Sequence, residues 1–109
     1  MTSEQFRKMA LRLPGSSERS HMGHPDFRVQ GKIFATLAYP EKGWAMVKLR
    51  PSQQREFVQA DPESFVAVKG AWGRRGSTNV RLRVTTAKSL KPALDAAWRN
   101  VAPEVLQKG

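Results

Sequence analysis

Helical spacing at both ends of the chain, short β-forming runs cut by turn residues between them, and apolar content for one core together point to an α+β domain. The 109 residues are 39% hydrophobic and include three Trp and five Phe. That supply suits one core, since a second would leave each half too small to offset its chain entropy. We expect a single domain over residues 1–109, with an antiparallel sheet of about six strands covered by helices in the order α-β-β-β-β-α-β-β-α.

Thr2 and Gln5 have capping-box spacing, and Phe6, Met9, Ala10 and Leu13 follow at i, i+3, i+4, i+7 before Pro14 and Gly15 end the helix. Ser16 to Gly31 is polar, with Gly23 and Pro25 as breakers, and reads as two short strands flanking a turn. Lys32 to Tyr39 is rich in strand formers, Pro40 to Gly43 is a hairpin loop, and Trp44 to Leu49 returns as the next strand. Pro51 suits the first turn of a second helix, Phe57 and Val58 supply its buried side, and Asp61-Pro62 closes it.

Phe65 to Val68 reads as a strand and Gly70 to Gly76 as a loop. In Thr78 to Val84, strict alternation sends Val80, Leu82 and Val84 to the core and Arg81 and Arg83 outward. A final helix starts near Thr86 with Leu90, Leu94, Ala97, Trp98 and Val101 on one side, a pattern of core residues, and Pro103 interrupts or restarts it.

Charge narrows the function. Nineteen Lys and Arg stand against nine Asp and Glu, for a net charge of +10 and a pI near 11.0. A polyanion is the natural partner, with nucleic acid ahead of an anionic membrane. The thirty-one residues between Glu63 and Asp95 hold no acid but carry Lys69, Arg74, Arg75, Arg81, Arg83, Lys88 and Lys91. Cysteine is absent, which excludes disulfides, thiolate nucleophiles and zinc-thiolate sites. No apolar run reaches the roughly twenty residues of a membrane span, and the start MTSEQFRKM lacks the apolar core of a secretory signal. A cytoplasmic location without membrane association is therefore expected.

Several segments resemble the MmcQ/YjbR family of small bacterial proteins. They are ALRLPG at 10–15, GHPDFRVQGKIFATL at 23–37, GAWGRRGSTNVRL at 70–82 and LDAAWRNVAP at 94–103. The resemblance implies a CyaY-like α+β fold and DNA binding through a double-wing arrangement. One position departs from the family pattern: where members commonly carry tryptophan, this chain has Ser77, and Trp72 in the same loop is the ring available to replace it.

Lys69 to Arg83 is the first candidate site. Glycines 70, 73 and 76 would let the backbone approach a phosphate, Arg74 and Arg75 offer forked donors, and Arg81 and Arg83 extend the charge along a strand. Trp72 reads either as a platform for an unpaired base or as an anchor packing the loop onto the sheet, and burial of large aromatics favours the anchor. The hairpin at Lys42, with Lys48, Arg50 and Arg55, is a second candidate wing, although Glu41 and Glu56 among them favour a solvated face.

His21, His24 and Asp26 form a two-His, one-carboxylate set on paper, but no distant ligand supports it, and neither a metal nor a cofactor is expected. Catalytic motifs are likewise missing, including G-x-S-x-G, GxxxxGK[ST] and H-E-x-x-H, so a non-enzymatic role is expected. The leading expectation is a DNA-binding protein, monomeric, that grips duplex phosphates with low sequence specificity. Duplex is preferred because most aromatics sit at core-like spacings, leaving few to stack on bases. The alternatives are an adaptor domain whose basic face meets an acidic protein, and a small-molecule cleft between sheet and helices.

Overall fold

The computed structural model describes residues 1–21, 23–38 and 41–107, with only the backbone of His21. Its elements are α1 (Ser3–Leu11), β1 (Ser16–His21), β2 (His24–Val29), β3 (Lys32–Leu37), β4 (Trp44–Lys48), α2 (Pro51–Ala60), β5 (Phe65–Ala67), α3 (Ala71–Arg74), β6 (Ser77–Arg81), α4 (Ala87–Val101) and α5 (Glu104–Gln107). The strands form one six-stranded antiparallel sheet in the order β1-β2-β3-β4-β6-β5. The α+β architecture expected from the sequence is present, with two short helices, α3 and α5, added to the order.

Local chemistry accounts for the element ends. Thr2 and Gln5 form the reciprocal capping box at α1, with hydrogen bonds of 2.8 and 3.1 Å. Pro51 opens α2, where its missing N–H costs nothing. The Thr86 side chain caps α4 by accepting from the Ser89 N–H, and α5 begins after Pro103. The strand expected to reach Tyr39 ends at Leu37, where Ala38 takes a left-handed φ of 59°. Tyr39 and Pro40 lie outside the described residues.

Helices α1, α2 and α4 pack on one face of the sheet. Alternation sends Phe27, Val29, Leu37, Ala45, Val47, Phe65 and Val80 into a core with Phe6 and Ala10 of α1 and Leu90, Ala93, Leu94, Ala97 and Trp98 of α4. Phe6 meets Phe27 at 6.0 Å between ring centroids, and Phe57 of α2 meets Phe65 at 5.6 Å. Trp98 Nε1 donates to the Pro14 carbonyl at 2.9 Å, which ties α4 to the end of α1. Between β2 and β3 the register moves from Phe27↔Ala35 to Arg28↔Ile33, leaving Phe34 as an extra residue in a bulge. The other sheet face presents Trp44, Met46 and Lys48 from β4 beside Arg81, Asn79 and Ser77 from β6.

Candidate nucleic-acid interface

The segment from Gly70 to Gly76 is a helical turn and not the flexible glycine loop expected. Arg74 and Arg75 N–H groups return to the Gly70 and Ala71 carbonyls at 3.1 Å each, and Gly76 N–H bonds Gly73 at 3.0 Å. Two of its glycines serve close packing. A Cβ on Gly73 would lie 1.5 Å from the Val68 carbonyl oxygen, and one on Gly76 would lie 1.9 Å from that of Leu49. Gly76 also holds a φ of 113°, which L side chains rarely adopt. Gln54 of α2 locks the turn to the sheet, its Nε2 donating to the Gly73 carbonyl at 3.0 Å and the Ser77 carbonyl at 2.9 Å. The backbone of this turn is therefore committed to protein contacts, and any phosphate grip falls to its side chains.

Those side chains point outward. Trp72 is 60% exposed, which overturns its reading as a buried anchor. Lys48 Nζ and Arg75 Cζ each lie 5.7 Å from the Trp72 ring, within cation–π reach. Lys48 is the cross-strand partner of Ser77, so the Trp72 ring stands near the place where the resemblance expects an aromatic. Lys69 and Arg74 are exposed on the same turn.

A second group forms at the other end of β6. Trp44 and Arg81 are paired across β4 and β6, with Arg81 Cζ 5.0 Å over the Trp44 ring. Arg81 Nη1 also donates to the Glu63 carbonyl at 2.6 Å, which fixes the guanidinium in place. Leu82 N–H bonds the Gly43 carbonyl at 3.1 Å, bringing the loop with exposed Lys42 alongside. The two groups are about 13 Å apart, four residues of strand. The face between them is closed. Met46 is 9% exposed, and Asn79 Oδ1 and Thr36 Oγ1 are buried with no hydrogen-bond partner among the described residues.

The expected long last strand stops early. After Arg81 the chain turns, with the Thr85 hydroxyl and N–H both donating to the Arg81 carbonyl, at 2.8 and 3.2 Å. Leu82 stays buried, but Val84 is 42% exposed and not in the core, and Arg83 projects from the turn and not from a strand face. Lys88 and Lys91 do not join the others. They lie on the solvent side of α4, across the sheet from Arg81, and Lys91 Nζ pairs with Asp95 at 3.2 Å. By contrast, Lys42, Lys48, Lys69, Arg74, Arg75, Arg81 and Arg83 form no ion pair with a carboxylate among the described residues.

Trp44 is the site residue that the sequence reading leaves out, and Lys48 enters it only within the weaker second wing. The period-two pattern Trp44-x-Met46-x-Lys48 sets both on one face, opposite Ala45 and Val47.

The paper metal set does not assemble from what is described. Arg28 grips Asp26 bidentately, Nε to Oδ1 at 2.8 Å and Nη2 to Oδ2 at 3.0 Å, and these hydrogen bonds raise the Arg28 pKa above its ordinary value. No three His, Asp or Glu residues gather among the described residues, and the His21 side chain lies outside them. A groove of about 400 Å³ runs between α1 and the first turn of α4, lined by Lys8, Arg12 and Thr86 among others. None of its lining residues is a carboxylate or histidine, so it offers no acid–base pair.

Comparison with known proteins places the fold. The YjbR family model matches residues 11–100, and the chain belongs to that family. Its structure is similar to that of a Deinococcus radiodurans protein with a DUF419 domain, at a TM-score of 0.77 and 19% identity over 98% of this chain and 86% of that one. It is also similar to a protein from Pseudomonas syringae, at a TM-score of 0.67 and 13% identity over 94% and 100% of the two chains. No curated protein matches the sequence. Among the described residues, no helix is long and apolar enough to cross a membrane.

Proposed function

We propose that this chain is a non-enzymatic DNA-binding protein that holds the phosphate backbone with little sequence preference. The observation behind this reading is the gathering of Lys48, Lys69, Arg74 and Arg75 around α3, and of Lys42, Arg81 and Arg83 at the far end of β6, without carboxylate partners among the described residues. Cations left unpaired on a chain of net charge +10 create a positive field suited to a polyanion. The β3–β4 hairpin and the α3 turn would be the two projections that flank the backbone, in the manner of paired wings. Contacts of this kind position a nucleic acid and do not read its sequence.

The test is a salt titration. With about five phosphates neutralised, log K falls against log salt with a slope of about −0.9 per phosphate on duplex DNA. Arg74→Ala with Arg75→Ala should weaken binding and make that slope shallower by about two phosphates, with little change in stability because both side chains are exposed. Binding that ignores salt, or none at low salt, would sink the reading. The competing idea, an adaptor for an acidic protein, is separated by capture after nuclease digestion: a partner that survives digestion favours the adaptor.

A further inference from the structure

We infer that the ligand of this basic surface includes unpaired bases, stacked on Trp72 and on the Trp44–Arg81 pair, so that single-stranded nucleic acid is preferred over duplex. The inference rests on the phosphate-binding reading and adds the ligand class to it.

The preference for duplex supposes that few aromatics are left to stack, and Phe6, Phe27, Phe34 and Phe65 are core residues. Among the three tryptophans only Trp98 is, at 6% exposure and with its indole N–H bonded to Pro14. Trp72 stands 60% exposed on a turn that Gln54, Gly73 and Gly76 hold rigid. Because the backbone under Trp72 is already tied to the sheet, stacking a base on the indole requires no ordering of the turn.

The second platform is the guanidinium of Arg81, held over Trp44 at 5.0 Å and tethered to Glu63. Bases stack on arginine planes as well as on rings. Lys48, beside the first platform, and Trp44, in the second, are four residues apart on one sheet face, about 13 Å of strand, and sheet aromatics elsewhere stack two or three bases of a single strand. Lys48 and Arg75 flank the first platform and Lys42 lies beside the second, so phosphates of a strand laid between them find cations at both ends. In a duplex the base faces are occupied by their neighbours, and the exposed Trp72 indole has nothing to stack on.

The experiment uses the full chain and three probes of equal length: an oligothymidylate, the same strand with abasic sites, and a hairpin duplex. Wild type should bind the oligothymidylate more tightly than either of the others. Trp72→Ala should lower the preference for the base-bearing strand over the abasic strand by about 5- to 150-fold, the range expected for one lost stacked base. Arg74→Ala with Arg75→Ala should weaken all three probes while keeping that preference. An unchanged preference in Trp72→Ala, with a melting temperature matching wild type, would overturn the inference while leaving the phosphate reading intact. No binding of any probe at low salt would overturn both.

Discussion

The two ends of the sheet satisfy their cations in opposite ways. At the β1–β2 end, Arg7 reaches Glu4 at 2.6 Å and Glu18 at 2.9 Å, and Arg28 clasps buried Asp26. At the β4–β6 end, Arg75 and Lys48 lie against Trp72 and Arg81 lies over Trp44. A carboxylate cancels a charge, whereas a ring attracts it and leaves it uncancelled. At the first end Arg7 and Arg28 are neutralised, although exposed Arg19 of β1 forms no ion pair among the described residues, and at the second the cations keep an outward positive field. Arg7 shows the local effect, since its hydrogen bonds to Glu4 and then Glu18 raise its pKa above the ordinary value.

Breaking the frame of the second end should have the largest effect. Gly73→Ala forces a Cβ to within 1.5 Å of the Val68 carbonyl oxygen, so the α3 turn must move off the sheet. Its expected cost is about 3–5 kcal/mol of folding stability, in the tail of single-substitution effects, measured by urea unfolding. Nucleic-acid affinity should fall with it, because Trp72, Arg74 and Arg75 all ride on that turn.

Attacking the first end separates stability from binding. Asp26 is 1% exposed, and Asp26→Asn removes the charge that Arg28 clasps, so the melting temperature should drop by several degrees. Affinity for nucleic acid should hold or rise, since a negative charge has been removed. Loss of affinity at unchanged fold would show that the β1–β2 end belongs to the site.

The smallest effect sharpens the contrast between the sheet's two faces. Lys88→Ala with Lys91→Ala touches two exposed cations on the helix layer, one of them in an i, i+4 pair with Asp95. Stability should change by less than about 1 kcal/mol, and the salt slope of binding should stay where it was. A slope shallower by two phosphates would extend the interface around to α4.

Much of this molecule follows from local rules. Thr2 with Gln5, Thr86, Pro51 and Pro103 mark helix ends through hydrogen bonds and missing N–H groups that involve only near neighbours. Phe6, Ala10, Leu90, Leu94 and Trp98 lie at helical spacing, and burial of such a stripe is the default outcome. The density of cations between Glu63 and Asp95 was legible as well, because charge is a property of composition.

The partners of those cations were decided by tertiary structure. Alternation alone made Val84 a core residue, yet the chain turns at Arg81 to begin the route to α4 and leaves Val84 in solvent. Lys88 and Lys91 are near Arg81 in sequence but across the sheet from it in space. The glycines of 70–76 looked like freedom for a loop, and two of them are instead points where backbone meets backbone across 68 and 49. Trp72 looked like an anchor because large aromatics are mostly buried, but its turn is fastened by Gln54 and two glycines, and the ring is left over. Period and composition are carried by neighbours in the chain. Which side chain faces which depends on contacts between residues far apart in it, and those exist only once the sheet has closed around its core.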